Sequence, residues 1–365
     1  MRILSISADA LSVPLNEPFV IASGRIDATR AALVRVELEA DAGRAIARGL
    51  GEAAALPPVT REDQPDLLAN LARASRALTG AQLDSLEELA RALDAALPDA
   101  PVARAGLESA LLDAWARLED VPVYRLLGGH SARRLETDMT LPIAEPARMM
   151  ELAVQHRAHG FRCFKLKVGK SFDDDVRALL GVHACVPDAT FRLDANAAFD
   201  AAQALELVRR ARAAGLVLEC FEQPCARDDL DGMAQVARDA GVCVVADESV
   251  RDDADLSRVL RARAAHGINL KLVKTGGLFA SLALGRRARE AGLVIMCGGM
   301  VETRLGITAM AHVACALDRV EFIDLDTAFL LSDDPFEGGY RARGAELELT
   351  PGAGFDLRIR DALTS

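Results

Sequence analysis

Seven short apolar runs in this chain end in reactive side chains or a glycine turn at a nearly constant spacing. They close on Lys165 and Lys167, Asp194, Glu222, Asp247, Lys271, the turn Gly298, Gly299 and Met300, and finally Asp324 and Asp326. From Lys167 the successive intervals are 27, 28, 25, 24, 27 and 26 residues. One strand, one helix and their loops fill such an interval. A ring of these units brings its strand ends together at the C-terminal face of a (β/α)8 barrel. The rhythm therefore predicts an α/β fold of this type, a modified TIM barrel, with the reactive residues gathered on one face.

Local pattern supports the strands. Segments 164–168, 191–194, 217–222, 242–247, 268–272, 293–297 and 322–326 are rich in apolar and β-branched residues, as strands covered on both faces should be. Asp138 to Ile143, ending near Thr140, supplies the first of eight. Between them, Ala201 to Ala214, Ala280 to Ala291 and Thr308 to Leu317 read as helices. The N-terminal region is of another kind. Ile3 to Pro14 and Ala32 to Glu39 alternate like half-buried antiparallel strands, and Glu62 to Leu97 offers two amphipathic helices broken at Thr79 and Gly80. Pro101 opens a third helix, with Leu107, Leu111, Leu112, Trp115 and Leu118 on one apolar stripe. The expected organisation is an α+β capping domain over 1–128, a barrel over 129–332, and a C-terminal segment, 333–365, that returns to the cap.

Composition narrows the class. With 365 residues, 51% of them hydrophobic, the chain can bury one large core and a smaller one. A formal net charge of -11 argues against non-specific nucleic-acid binding. Seven cysteines, an odd number scattered through predicted strands and helices, read as buried reduced thiols. The first fifteen residues alternate and carry Asp9 where a signal peptide needs an unbroken apolar run, and no stretch is apolar enough to span a membrane. A cytoplasmic enzyme is expected; the alanine-rich outer helices permit a homo-oligomer.

Asp194, Glu222 and Asp247 end three consecutive strands, so their carboxylates converge, and hard oxygen donors suit one Mg2+. Each taken alone would more simply be a helix N-cap or a solvated loop acid. Lys165 and Lys167 are two apart on a strand and point to one side, where the carboxylates are their partners. Proximity of Lys165 and of a cation should lower the Lys167 pKa toward that of a working base. Lys271 comes from the other side of the ring, and Lys274, past its strand end, reads as structural. Asp324 and Asp326 share a face and invite a cation, unless they serve a structural salt bridge. Thr140 is placed to touch a ligand or to be a satisfied strand hydroxyl. Glu302 either lines the site or bonds backbone. The six histidines lie away from the strand ends.

Taken together, Lys165-Leu-Lys167, Asp194, Glu222-Gln-Pro224, Asp247-Glu-Ser249 and the run from Lys271 to Gly277 resemble the muconate-lactonizing subgroup of the enolase superfamily. Within it, Phe322 to Thr327 resembles the dipeptide epimerases, whose strand-eight aspartates hold the substrate's ammonium group. The resemblance begins in the cap at Pro18 to Ala22. It implies that Lys167 and Lys271 are opposed bases in a 1,1-proton transfer and that Lys165 assists. It also implies that Asp324 and Asp326 bind the amino terminus, with Thr140 and the Gly298, Gly299, Met300 turn near the substrate.

The implied activity is Mg2+-dependent inversion of the C-terminal residue of an L,L-dipeptide through an enediolate. In Ala-Glu epimerases an arginine of the cap loop pairs with glutamate; here Ile26 takes that register, with Arg25 beside it, so hydrophobic dipeptides are expected. Muconate cycloisomerase, o-succinylbenzoate synthase and N-acylamino acid racemase share the scaffold but lack an ammonium group for Asp324 and Asp326. A carboxylate-binding protein without turnover is the non-enzyme alternative.

Overall fold

A computed structural model describes residues 1–40, 43 and 45–360. The N-terminal strands are β1 (Arg2–Leu11), β2 (Pro14–Ile21), β3 (Gly24–Ala28), β4 (Arg30–Ala40) and β5 (Ala45–Ala55). β1, β4 and β5 form an antiparallel sheet in that order, and β2 with β3 forms a hairpin. Helix α1 (Gln64–Leu78) is started by a capping box, in which Asp63 accepts the Gln64 N–H and Asp66 accepts the Asp63 N–H. Ser85 caps α2 (Leu86–Ala96) through the Glu88 N–H.

Helix α3 (Pro101–Leu118) departs from the one-sided stripe. Every residue from Val102 to Ala116 except Arg104 is buried. The cause is its position, with the cap sheet on one side and barrel elements on the other. Glycines let the helix lie directly on β5: a Cβ at Gly51 would sit 2.0 Å from the Gly106 carbonyl oxygen. Its buried acids are satisfied by backbone from elsewhere. Glu108 accepts the Phe279 N–H at 2.8 Å, while Asp113 accepts those of Leu50 and Phe355 at 3.0 and 2.7 Å.

After α4 (Val123–Leu126) and β6 (Arg134–Glu136), strands and helices alternate. They are β7 (Met139–Leu141), α5 (Pro146–Ala158), β8 (Cys163–Lys167), α6 (Phe172–Cys185), β9 (Thr190–Asp194), α7 (Ala201–Ala213), β10 (Val217–Glu222) and α8 (Leu230–Asp239). The series continues with β11 (Cys243–Ala246), α9 (Asp253–Ala262), β12 (Gly267–Leu270), α10 (Leu272–Thr275), α11 (Leu278–Glu290), β13 (Val294–Gly298), α12 (Arg304–Ala316) and β14 (Phe322–Asp324). β7 to β14 are parallel and pair in strict chain order. The ring is drawn together where Thr137 bridges Ile323 and the Leu325 N–H donates to Thr137 Oγ1 at 2.8 Å. This is the expected barrel, each strand lying within two residues of its predicted bounds.

The C-terminal strands are β15 (Phe336–Gly338), β16 (Tyr340–Arg343), β17 (Glu346–Leu349) and β18 (Leu357–Ile359). β17 pairs with β6, and beyond it Gly354 and Phe355 meet Val121 and Asp113 around the end of α3. One apolar cluster runs through cap and barrel without a break. All seven cysteines are free. Among the described residues no helix is long and apolar enough to cross a membrane.

Candidate active site

β8, β9 and β10 are in register so that Lys167 lies opposite Asp194, and Asp194 opposite Glu222. Asp247 follows β11 directly and Lys271 follows β12. All five side chains are buried, and charges inside a barrel must compensate one another. Lys165 Nζ lies 2.6 Å from Asp324, 2.7 Å from Glu222 and 3.4 Å from Asp194. Lys167 Nζ is 2.5 Å from Asp194, and Lys271 Nζ is 2.8 Å from Asp247 and 3.9 Å from Glu222. Burial disfavours the charge on Lys165 and Lys271, yet the surrounding carboxylates, led by Asp324 and Asp247 respectively, outweigh it and raise both amines above the usual lysine value. Lys167, with Lys165 and Lys271, overcomes the burial cost of Asp194, and Lys271 with Lys274 that of Asp247, holding both below the usual carboxylate range, whereas burial and then Asp194 push Glu222 up.

Eight of the sequence-predicted residues, Lys165, Lys167, Lys271, Asp247, Asp324, Thr140, Gly299 and Met300, line one cavity. Its free space is about 40 Å3, and Phe19, Ile21, Leu56, Val59 and Val301 form the apolar part of its wall. Asp194, Glu222 and Asp326 are buried and do not line it. Asp326 accepts the Thr140 N–H at 2.5 Å, and burial followed by the charge of Asp324 pushes its pKa up to about 6. Gly298 makes room rather than contact, since a Cβ there would lie 2.7 Å from Asn269 Oδ1 and 3.0 Å from Asp324 Oδ2. Glu302 is turned to the backbone and accepts the Met300 N–H at 2.9 Å. Lys274 holds Asp247 Oδ1 at 2.6 Å and the carbonyls of Asp247 and Asn269. None of the six histidines lines the cavity.

Ile26 requires a correction. It sits opposite Phe19 in the hairpin, on the same face, but does not reach the cavity wall. β2 is the strand tied to the barrel, its Val20 carbonyl accepting the Ile143 N–H at 2.9 Å, so Phe19 and Ile21 line the site instead. Arg25 is exposed and paired with Asp27 at 2.9 Å.

Further polar groups join these residues. Asp138, Asp324 and Asp326 converge, each offering an oxygen within 4.8 Å of the others. Arg192 crosses the barrel floor to Asp138 at 2.9 Å and the Ile323 carbonyl at 2.7 Å. A charged residue in a barrel strand with no solvated face was the available signal for both. Gln223, in the left-handed region at φ 36°, accepts the N–H groups of Asp247 and Ser249 at 2.9 and 3.1 Å and donates to Ser249 Oγ at 2.8 Å. It orients the acid of the next strand. Asn269 donates to Glu222 Oε1 at 2.7 Å and does the same for that carboxylate.

Two family models cover most of the chain: the mandelate racemase / muconate lactonizing enzyme N-terminal domain over residues 5–128, and the enolase C-terminal domain-like family over 148–362. An L-Ala-D/L-amino acid epimerase of Populus trichocarpa is 39% identical over 350 residues, 94% of this chain and 82% of that protein. An aromatic dipeptide epimerase of Herpetosiphon aurantiacus is 38% identical over 358 residues, 98% of this chain and 99% of the relative. Among solved structures, the dipeptide epimerase of Enterococcus faecalis V583 in complex with Mg and L-Leu-L-Tyr superposes with a TM-score of 0.90 at 31% identity, covering 98% of this chain and 99% of that one. With both halves of the superfamily's architecture matched and full-length relatives at this identity, the chain belongs to the enolase superfamily, among its dipeptide epimerases.

Proposed function

We propose that this protein epimerises L,L-dipeptides at the α-carbon of the C-terminal residue, using Mg2+ and two lysine bases, with a preference for apolar side chains. The carrying observation is that Lys167, from β8, and Lys271, from beyond β12, enter one cavity between a carboxylate cluster and an apolar wall. The donor set fits a hard divalent ion. Asp194, Glu222 and Asp247 are buried at consecutive strand ends, and Glu222 Oε2 has Lys165 at 2.7 Å but, among the described residues, no hydrogen-bond partner. Asp138, Asp324 and Asp326 are the poorer metal site, because Asp138 is held by the permanently charged guanidinium of Arg192, whereas the partners of Asp194, Glu222 and Asp247 are lysines.

Asp194, Glu222 and Asp247 would hold the Mg2+, which when bound would supply positive charge to offset the second negative charge of the enediolate and would take over the carboxylates that otherwise pair with the lysines. Lys167 then takes the α-proton on one face and Lys271 returns one on the other; in the reverse direction they exchange roles. Lys165, held by Asp324 and Glu222, stays charged and adds to the stabilisation, each ~1.4 kcal/mol of which is worth tenfold in rate. Asp326 Oδ1, buried and unpartnered, with Asp324 beside it, suits the ammonium group of the amino-terminal residue. Phe19, Ile21, Leu56 and Val59 favour apolar side chains.

The test is a dipeptide library incubated with the Mg2+-loaded enzyme in D2O. Deuterium should enter the α-position of C-terminal residues, fastest in apolar dipeptides. Deuterium uptake by N-acylated amino acids instead, or by none of the library, would reject the dipeptide reading.

A further inference from the structure

Beside the active-site cavity, and sharing Val59, Asp247 and Met300 with it, lies a second cavity of about 320 Å3. It is framed by the cap at 59–61 and 98–102 and by the loops that follow β10, β11 and β12. Three arginines enter it from separate parts of the chain: Arg61, exposed at the rim, and Arg227 and Arg251, half-buried. Guanidinium groups keep their charge at any physiological pH, so gathering three around a partly buried space is unfavourable unless an anion joins them.

The protein itself supplies little of that anion. Arg227 has Asp255 at 2.9 Å, but among the described residues Arg61 and Arg251 have no carboxylate within 4.0 Å and donate no side-chain hydrogen bond. Burial, and then the charges of Arg227 and Arg61, hold the Arg251 guanidinium below its usual value. The acids that line the same space are otherwise placed. Asp247 is bound by Lys271 and Lys274, Asp252 takes the Asp255 N–H at the start of α9, Glu248 faces Asn196 at 3.3 Å, and Asp99 is exposed at the rim. By formal charge the lining is balanced, with Lys274 beside the three arginines and four acids opposite them, so what marks the recess is that no carboxylate among the described residues pairs with Arg61 or Arg251.

We infer that this recess is a carboxylate-binding site in which Arg61, Arg227 and Arg251 receive the anion. The inference goes beyond the dipeptide reading and does not depend on it. Two sources carry the same chemistry: the side chain of an acidic residue in the substrate, reaching across the wall shared with the active site, or a separate small carboxylate bound next to it.

Calorimetric titration of the Mg2+-loaded enzyme with glutarate, at fixed ionic strength, tests the site itself. Saturable binding should weaken at least tenfold in Arg251→Ala and in Arg61→Ala, the second of which removes an exposed side chain and leaves the packing intact. Kinetics on two dipeptides then separate the sources. If the anion is the substrate's own, Arg251→Ala loses at least tenfold in kcat/KM on a dipeptide ending in glutamate and little on one ending in leucine. If it is a separate ligand, both dipeptides keep their kcat/KM and only the glutarate response is lost. Glutarate affinity that stays within twofold of the parent in both variants, with no selective loss on the acidic dipeptide, overturns the inference. A protein that turns over no dipeptide but loses glutarate binding in the variants would refute the proposed reaction and leave this site standing.

Discussion

Lys167 and Lys271 reach one cavity from strands on different sides of the ring, which makes their separate replacement informative. Lys271→Ala should abolish epimerisation yet still exchange the α-proton of one diastereomer with D2O, and Lys167→Ala should exchange the other. Unchanged exchange from both diastereomers in either variant would remove the two-base assignment. Asp326 offers a second test through pH. Its carboxyl, pushed up to about 6, must be ionised to hold an ammonium group, so kcat/KM should fall as pH drops through about 6. In Asp326→Asn that acidic limb should disappear while KM rises at every pH, and N-acetylating the dipeptide should cost the parent enzyme far more than the variant. A limb retained in Asp326→Asn would assign it to another group. The lysines and acids at the strand ends were legible because charge in a barrel strand has nowhere to go but the site. Asp138 and Arg192 obey the same logic but lie away from the C-terminal strand ends, so the spacing of those ends does not mark them. The part played by Gln223 was illegible, since it depends on a left-handed backbone that only the folded turn reveals.

At the level of elements, β5 is where pattern reading gave least. Its Ala- and Gly-rich sequence has Ile46 as its one β-branched residue, and the reason is contact: Gly49 and Gly51 admit the backbone of α3. The buried stripe expected on α3 became burial on all sides for the same reason. Directly after Gly51 sits Glu52, which reaches out of the cap sheet to the start of α12 and accepts the N–H groups of Thr303 and Gly306 at 3.1 and 3.0 Å. Burial, and then the charge of Glu302, push its pKa up to about 8. Its ordinary value is 4.5, so the fold keeps the proton: the stability this contributes is complete below about 4.5 and is lost as pH rises through about 8. Glu52→Gln stays neutral, so its thermal stability relative to the parent should rise across that window, by on the order of a few kcal/mol at its upper end. A parent–variant difference that does not change between pH 5 and 8 would place the proton elsewhere.

Over the whole molecule, cap and barrel share one apolar cluster, with α3 inside it. Trp115, the chain's one tryptophan, lies buried on that helix and reports on the junction. Its fluorescence and the far-ultraviolet circular dichroism should therefore follow a single coincident transition on thermal or denaturant unfolding. Two separated midpoints would show that the halves melt independently. The division into a sheet domain and a barrel was readable from the change of hydrophobic period, but their fusion was not, because it rests on acids that satisfy backbone in the other half. Glu52 closes the start of α12, and Glu108 the start of α11. Prising the cap from the barrel would leave those helix ends with bare N–H groups and strand two carboxyls in an apolar seam. Swinging the cap away from the barrel would thus break those contacts, whereas motion confined to the exposed turn of the β2–β3 hairpin, Ser23 to Arg25, would leave them whole.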